Sequence, residues 1–433
     1  MNIVLLSGGS GKRLWPLSND TQSKQFLKLL KNEQGEYESM VQRVRKQISA
    51  AYPEANVFVS CNHAQVDILR QQLEGIDTIL EPARRDTFPA IALAAAYLHY
   101  EKRMGEHEQF IVCPIDVFAT SGYFELLARV RDLTEHHQIG LMGALPTYPS
   151  GKYGYILQND GVVSGFVEKP SEEKAAELID GGALWNCGVF GLRVGYVLEF
   201  ARKYARFDSF ESLRNQYENL PKISFDYEVV EKEASIGAVT YSDVWKDLGT
   251  WNTLIEEMGS DRIGSHIIVS DNCKDTSVLN MLNIPVVVQD VSDAIVVASY
   301  DGILVTSKHG SSFLKPLTEQ ISFRPMYEQR SWGSYRVLEY KQSDSASSLV
   351  KRMHIEAGKS ISYQYHEKRS EIWVVVSGKG ILTLDGEDSV IGPGGIVHVP
   401  IGVKHSILAA TDLEFIEVQL GAEELEEGDI VKI

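Results

Sequence analysis

Ile3-Val4-Leu5-Leu6-Ser7-Gly8-Gly9-Ser10-Gly11-Lys12-Arg13-Leu14-Trp15-Pro16-Leu17 is a short apolar run that breaks into a glycine-rich turn and then into two cations. The first four residues predict a buried strand, and the glycines let backbone N–H groups of Ser7, Gly8, Gly9 and Gly11 turn towards an anion without obstruction by Cβ atoms. Lys12 and Arg13 supply charge to neutralise phosphate. The spacing is neither that of a Walker A loop nor that of a dinucleotide-binding turn, because Arg13 stands where a third glycine would be. Downstream, Val57-Phe58-Val59 and Phe110-Ile111-Val112 alternate with longer amphipathic stretches, Ser39 to Ile48, Ala64 to Leu73 and Ala90 to Leu98. That alternation predicts βαβ units and a mixed, mainly parallel sheet whose ligands bind at the carboxyl ends of the strands.

The pattern changes twice along the chain. From 263 to 322 short β-branched runs such as Ile267-Ile268-Val269 and Val286-Val287-Val288 predict a small β-rich connector. From 323 to 433, runs such as Ile372 to Val376 and Phe415 to Val418 between glycine-rich turns predict an antiparallel barrel. Residues 1–262 form the first expected domain. The acidic cluster Glu423 to Glu427 reads as a solvated face.

Composition excludes several classes. With 59 Asp and Glu against 42 Lys and Arg the formal charge is −17, which argues against a nucleic-acid or anionic-membrane surface. The four cysteines, Cys61, Cys113, Cys187 and Cys273, lack the paired spacing of a zinc or redox motif and read as reduced thiols. Neither a signal peptide nor a membrane span fits the sequence, so a cytoplasmic protein is expected.

Further strings sharpen the reading. After the glycine turn come Lys24-Gln25-Phe26, Glu81-Pro82 with Arg85, Thr87-Phe88-Pro89-Ala90, Pro114-Ile115-Asp116, Tyr153-Gly154-Tyr155, Phe166-Val167-Glu168-Lys169-Pro170, Trp185-Asn186-Cys187-Gly188, Phe225-Asp226-Tyr227 and Trp245-Lys246-Asp247-Leu248-Gly249. In this order they resemble the sugar-1-phosphate nucleotidyltransferases, and the Trp15 and Lys-Gln-Phe variants are most similar to mannose-1-phosphate guanylyltransferases. The resemblance implies a Rossmann-like nucleotidyltransferase domain that joins GTP to mannose 1-phosphate with release of pyrophosphate. By the same resemblance Asp116 and Asp247 bind Mg²⁺, Arg13 and Lys24 hold the triphosphate, and Arg85 joins the nucleotide site. Gly154, Glu168, Lys169 and Asn186 would contact the sugar phosphate. Two carboxylates, a metal and several cations suit a reaction that brings two polyanions together and spreads charge at phosphorus. Trp185 and Trp251 are read as core residues.

Departures from the family pattern are Lys12 for Thr, Ser23 for Pro, Asp86 for Asn and Val117 for His. Another sugar phosphate or nucleoside triphosphate on the same machinery is the alternative they leave open.

In the tail, Gly358, Gln364, His366, Glu371 and Gly378, then Gly394, Pro400, Gly402 and His405, have the spacing of the two cupin motifs. Gln364 and His366 share a strand face, with Glu371 and His405 on neighbouring strands, so the four form a candidate ligand set for Zn²⁺ or another divalent ion. The tail resembles the cupin domain of type II phosphomannose isomerases, fused to the guanylyltransferase in bifunctional enzymes. That resemblance implies interconversion of mannose 6-phosphate and fructose 6-phosphate, with Arg369 as a phosphate contact. The family's histidine-rich run is depleted here, with Ile372 at one of its histidine positions, which leaves a non-catalytic sensor or assembly module as the alternative for the barrel. A homo-oligomer is expected.

Overall fold

A computed structural model describes residues 1–8, 11–19, 21–343, 346–421 and 429–433. Gly9, Ser10 and the acidic cluster Glu423 to Glu427 lie outside the described residues.

The amino-terminal body is built on a nine-stranded sheet. Strand Asn2–Leu6 is the third from one edge, parallel to Asn56–Asn62 on one side and to Gln109–Pro114 on the other. Asp77–Glu81 extends the parallel part outward. Beyond Gln109–Pro114 the ten-residue strand Leu184–Arg193 runs antiparallel, followed by Ile139–Ala144, Ile236–Tyr241, Val162–Val167 and Tyr155–Asn159. Parallel pairing therefore dominates the half that begins with the glycine turn, and the far half is mixed, with Ile139–Ala144 and Ile236–Tyr241 parallel to each other.

Both faces of the sheet are covered. Helix Thr87–Ala96 is buried along almost its whole length against Val4, Phe58 and Val112 on one face. Helix Met40–Ala51 packs Val41, Val44 and Ile48 against Ile3, Leu5 and Val59 on the other. Ser39 starts that helix by accepting from Gln42 N–H, while the Gln42 side chain accepts from Ser39 N–H. Coverage on both sides explains why the central strands read as continuous apolar runs rather than alternating ones.

After helix Trp251–Glu257 the connector coils. Strands Arg262–Gly264, Thr276–Asn280 and Ala294–Ser299 stack in parallel, Ile267–Val269 pairs in parallel with Val286–Val288, and Gly302–Ser307 returns antiparallel. Leu279, Ile295 and Val297 bury themselves with Leu14, Trp251 and Leu254, so the connector packs behind the Gly11–Leu14 turn.

The carboxy-terminal barrel has two antiparallel sheets of six and five strands around Trp373, Phe415, Ile407 and Val399. Along Leu413–Gly421 buried and partly exposed residues alternate, as a strand with one face on a core requires. Among the described residues no helix is long and apolar enough to cross a membrane.

Candidate functional site

Strands Asn2–Leu6 and Gln109–Pro114 are in register, Leu6 opposite Pro114, so Ser7 and Asp116 leave the carboxyl ends of adjacent strands side by side. Asp247 reaches the same place from the other direction, because Trp245–Asp247 pairs with Val117–Ala119 and sets Asp247 opposite Val117. The two carboxylates converge on Lys24, whose Nζ is 2.8 Å from Asp116 Oδ2 and 3.2 Å from Asp247 Oδ1. Burial alone would lower the Lys24 pKa, but the two carboxylates outweigh it and hold the ammonium above its ordinary value. Burial likewise pushes Asp116 up, and the Lys24 charge and hydrogen bond override it and hold the carboxyl below the usual range.

Arg13 joins this group. A Cβ on Gly249 would stand 3.0 Å from both Asp247 carboxylate oxygens and 3.3 Å from Arg13 Nη1, so guanidinium and carboxylate flank one bare glycine. Asp116 and Asp247 are each about a third exposed, and hard divalent ions prefer such oxygen donors. Their chemistry and convergence fit a metal ion of that kind.

From the carboxylates a cleft of about 200 Å³ runs to Gly154, Glu168, Lys169 and Asn186. The Lys169 ammonium donates to Glu168 Oε1 at 2.5 Å, and its backbone N–H donates to Tyr153 O from a left-handed conformation. Glu168 is nearly buried while Lys169 is half-exposed, so the pair is not the surface ion pair that adjacent charges usually form. Asn186 Nδ2 donates to Asp226 Oδ1 at 2.7 Å, and its Oδ1 accepts from Gly188 N–H. Burial and the neighbouring Glu168 push the Asp226 carboxyl up to about 7. At Gly154 an added Cβ would collide with the Glu168 carboxylate and the Phe166 ring. Asp226 was visible in sequence only as part of a string; its contact with Asn186 gives it a place in the cleft wall.

The remaining residues expected at the nucleotide are less uniform. Ser7 accepts from Gln25 Nε2 through both its carbonyl and its hydroxyl, at 2.9 Å each. Gly8 lies over the buried Glu81 carboxylate, which accepts from Ser60 Oγ and Tyr217 OH. Gly11 opens the short turn Gly11–Leu14, and the Lys12 side chain lies outside the described residues. Arg85 donates from Nη2 and Nε to the Leu220 carbonyl at 2.9 and 3.2 Å, and its charge acts on Tyr217, the Glu81 partner. Asp86, from a left-handed backbone conformation, caps helix Thr87–Ala96 through Thr87 N–H. Trp185 and Trp251 are core residues, each more than nine-tenths buried. The four cysteines are free.

The barrel holds the second cluster. His366 on Gln364–His366 and His405 on His405–Ala409 come from the five-stranded sheet, and Glu371 on Arg369–Ser377 comes from the facing one. One ligand atom from each lies within 4.8 Å of the others, and all three residues are buried. Both imidazoles direct Nδ1 at a backbone carbonyl, His366 at Asp429 and His405 at Val403. That contact fixes the proton on Nδ1 and leaves the Nε2 lone pair facing the cluster. His366 Nε2 lies 3.0 Å from Glu371 Oε1 and His405 Nε2 3.7 Å from Glu371 Oε2, neither in good hydrogen-bond geometry, so two imidazole nitrogens and a carboxylate face one another as the ligands of a divalent cation do. Gln364 pairs with His405 through the backbone, and its Oε1 accepts from Ser362 Oγ.

Arg369, the expected phosphate contact, is buried with Nε donating to Glu371 Oε1 at 3.1 Å and Nη1 3.6 Å from Asp429. Sequence reading missed Lys351, Glu417 and Gln419, which share this interior and are all nearly buried. Gln419 Nε2 donates to Glu417 Oε1 and Glu371 Oε1, and burial with the Glu371 charge pushes the Glu417 carboxyl up. Their signal was present, since Glu417 and Gln419 continue the inward series Leu413, Phe415.

A nucleotidyl transferase family profile matches residues 2–262, and a mannose-6-phosphate isomerase C-terminal profile matches 320–433. Mannose-1-phosphate guanylyltransferase of Escherichia coli (strain K12) is 30% identical, covering 99% of this chain and 97% of its own length. Alginate biosynthesis protein AlgA of Pseudomonas putida is 32% identical over 97% of this chain and 93% of its own. A crystal structure described as mannose-1-phosphate geranyltransferase from Thermus thermophilus matches with a TM-score of 0.60 and 28% identity, covering 74% of this chain and 98% of that one. The chain belongs to the nucleotidyl transferase family, among the mannose-1-phosphate guanylyltransferases that carry a mannose-6-phosphate isomerase C-terminal domain.

Proposed function

We propose that the amino-terminal body transfers a guanylyl group from GTP to mannose 1-phosphate. In this reaction a phosphate oxygen of the sugar phosphate attacks the α-phosphorus of GTP, the bond to the β-phosphate oxygen breaks, and pyrophosphate leaves. The observation that carries the reading is the convergence of Asp116 and Asp247 on Lys24 at the head of a cleft whose far end holds Lys169, Glu168 and Asn186. Cations at both ends suit two polyanions brought into line. Arg13 and Lys24 serve the triphosphate, Lys169 the sugar phosphate, and Glu168 and Asn186 the sugar hydroxyls. Asp116 and Asp247 would hold Mg²⁺, which when bound neutralises charge on the triphosphate. Arg85 uses two of its five N–H donors on the Leu220 carbonyl and keeps the others for the nucleotide.

For the barrel the reading is a site for Zn²⁺ or a similar divalent ion on His366, Glu371 and His405, with Gln364 beside them, and isomerisation of mannose 6-phosphate and fructose 6-phosphate. The convergence of both imidazole Nε2 atoms and the Glu371 carboxylate in one buried cluster supports it. The family matches over residues 2–262 and 320–433 support division of the chain into 1–262, 263–322 and 323–433.

The test is pyrophosphate release from GTP, ATP, CTP and UTP, each with a panel of sugar 1-phosphates and Mg²⁺. Preference for GTP with mannose 1-phosphate, abolished in Asp116→Ala, is the expected result. Unchanged release in that variant removes Asp116 from the metal site. A coupled assay for fructose 6-phosphate conversion tests the barrel, and binding without turnover would make it a sensor.

A further inference from the structure

Asp301 sits in the turn between strands Ala294–Ser299 and Gly302–Ser307, far from the cleft in sequence and half-buried. Its two carboxylate oxygens face different parts of the molecule. Oδ2 accepts from Asn19 Nδ2 at 2.7 Å, across 282 positions of sequence, and Oδ1 accepts from the backbone N–H of Met326 at 2.7 Å.

On the first side, Asn19 organises the segment that carries Lys24. Its Oδ1 accepts from Thr21 N–H at 3.0 Å, Gln22 N–H at 2.7 Å and Thr21 Oγ1 at 2.8 Å, while its own N–H donates to Gln22 O. Two backbone donors on one side-chain oxygen settle the amide orientation, so Nδ2 has to face the carboxylate. The turn closes two residues before Lys24. Beyond it Gln65 holds Ser23 and Gln25 holds Ser7, so the Asn19 turn is the anchor on the amino-terminal side of Lys24.

On the second side, Met326 lies where the chain enters the barrel: its carbonyl accepts from Val337 N–H at 2.7 Å and its side chain packs on the barrel core. The same connector edge braces the turn elsewhere. Ser299 Oγ donates to Pro16 O at 2.7 Å, and a Cβ on Gly302 would collide with the Trp15 indole.

We propose that Asp301 is a positioning residue for nucleotidyl transfer, holding the Asn19 turn so that Lys24 meets Asp116 and Asp247, and joining that turn to the entry strand of the barrel. The inference rests on the transferase reading above. It makes the connector a coupling element between the two bodies, since any displacement of the barrel entry is shared with the Lys24 segment through one carboxylate.

The test exchanges carboxylate and amide in the full chain: Asn19→Asp, Asp301→Asn, and both together. Asn19→Asp sets two carboxylates face to face, and Asp301→Asn leaves an amide N–H against one of two donors. Each single variant is expected to lower kcat/KM for pyrophosphate release at least about tenfold, the scale of losing a hydrogen bond to a charged group. In the double variant the new carboxylate at position 19 accepts from Thr21, Gln22 and the new amide at 301, whose carbonyl accepts from Met326. Every contact is regenerated, and kcat/KM is expected to return to within about threefold of the starting enzyme. Amide hydrogen exchange over residues 21–25 reads the same geometry without turnover: faster in each single variant, restored in the double. Single variants with unchanged kinetics and exchange, or a double variant no better than the worse single, overturn the proposal. If the unmodified chain turns over no nucleotide and sugar pair, the substrate reading fails, and the exchange measurement alone decides the positioning role.

Discussion

Lys24 Nζ lies 2.8 Å from Asp116 Oδ2, and the Asp247 carboxylate meets the same ammonium from the opposite strand. Lys24 therefore does more than face a phosphate: it holds two like charges together at the head of the cleft. Its raised pKa and the lowered pKa of Asp116 keep both ionised around neutrality.

Replacing Lys24 by Met keeps the length of the side chain and removes the charge. Asp116 and Asp247 then repel across a partly exposed gap, and kcat for pyrophosphate release is expected to fall by at least about a hundredfold, as for loss of one preorganised charge-stabilising donor. Steady-state kinetics on a variant with unaltered circular dichroism checks this. A loss of under about threefold would reduce Lys24 to a spacer.

Gly154 offers a test confined to the far end of the cleft. A methyl group there meets the Glu168 carboxylate and the Phe166 ring and comes within 3.4 Å of Asn186 Cβ. In Gly154→Ala the Glu168 side chain has to leave its seat beside Lys169, so KM for the sugar phosphate is expected to rise about tenfold or more while KM for the nucleotide stays put. Equal changes in both constants would place the damage elsewhere.

The expectations drawn from sequence and the structure diverge where contacts cross long stretches of chain. The apolar runs Ile3 to Leu6 and Phe110 to Val112 read as strands because both faces of the sheet are covered, and the inward series in the barrel read as strands because one face is. The convergence of Asp116 and Asp247 was implied by family resemblance, and its physical basis is the pairing of Val117–Ala119 with Trp245–Asp247, which no local pattern announces. The Arg85 contact was hidden for the same reason: the Leu220 carbonyl that accepts two of its donors lies 135 positions away. Asn19 and Asp301 are ordinary turn residues until their side chains are seen to meet.

For the barrel, metal analysis of the full chain is expected to find a divalent ion that is lost in the double variant His366→Ala, His405→Ala. An ion present at about a thousandfold its Kd contributes roughly 4 kcal/mol to folding, so chelation should lower the unfolding temperature of the barrel by about 15 °C or more. The double variant should not respond to chelator. Equal metal content in both proteins would remove the two imidazoles from the ligand set.

Asp226 carries a pH prediction whose sign is fixed by linkage. Burial and then the Glu168 charge hold its carboxyl at about 7 in the folded chain, against an ordinary value of 3.8. Between those values the folded state keeps a proton that the unfolded state releases, so stability falls as pH rises through this window. The contribution is fully present below 3.8 and is lost once pH passes about 7. Asp226→Asn keeps an oxygen to accept from Asn186 and has no proton to lose. The unfolding temperature of the variant minus that of the unmodified protein is therefore expected to climb from about pH 5 to about pH 8 and then level off, other titrating groups cancelling in the difference. A difference that does not change with pH would mean that Asp226 is already ionised at the acid end of that range, and that the Asn186 amide and Lys169 outweigh its burial.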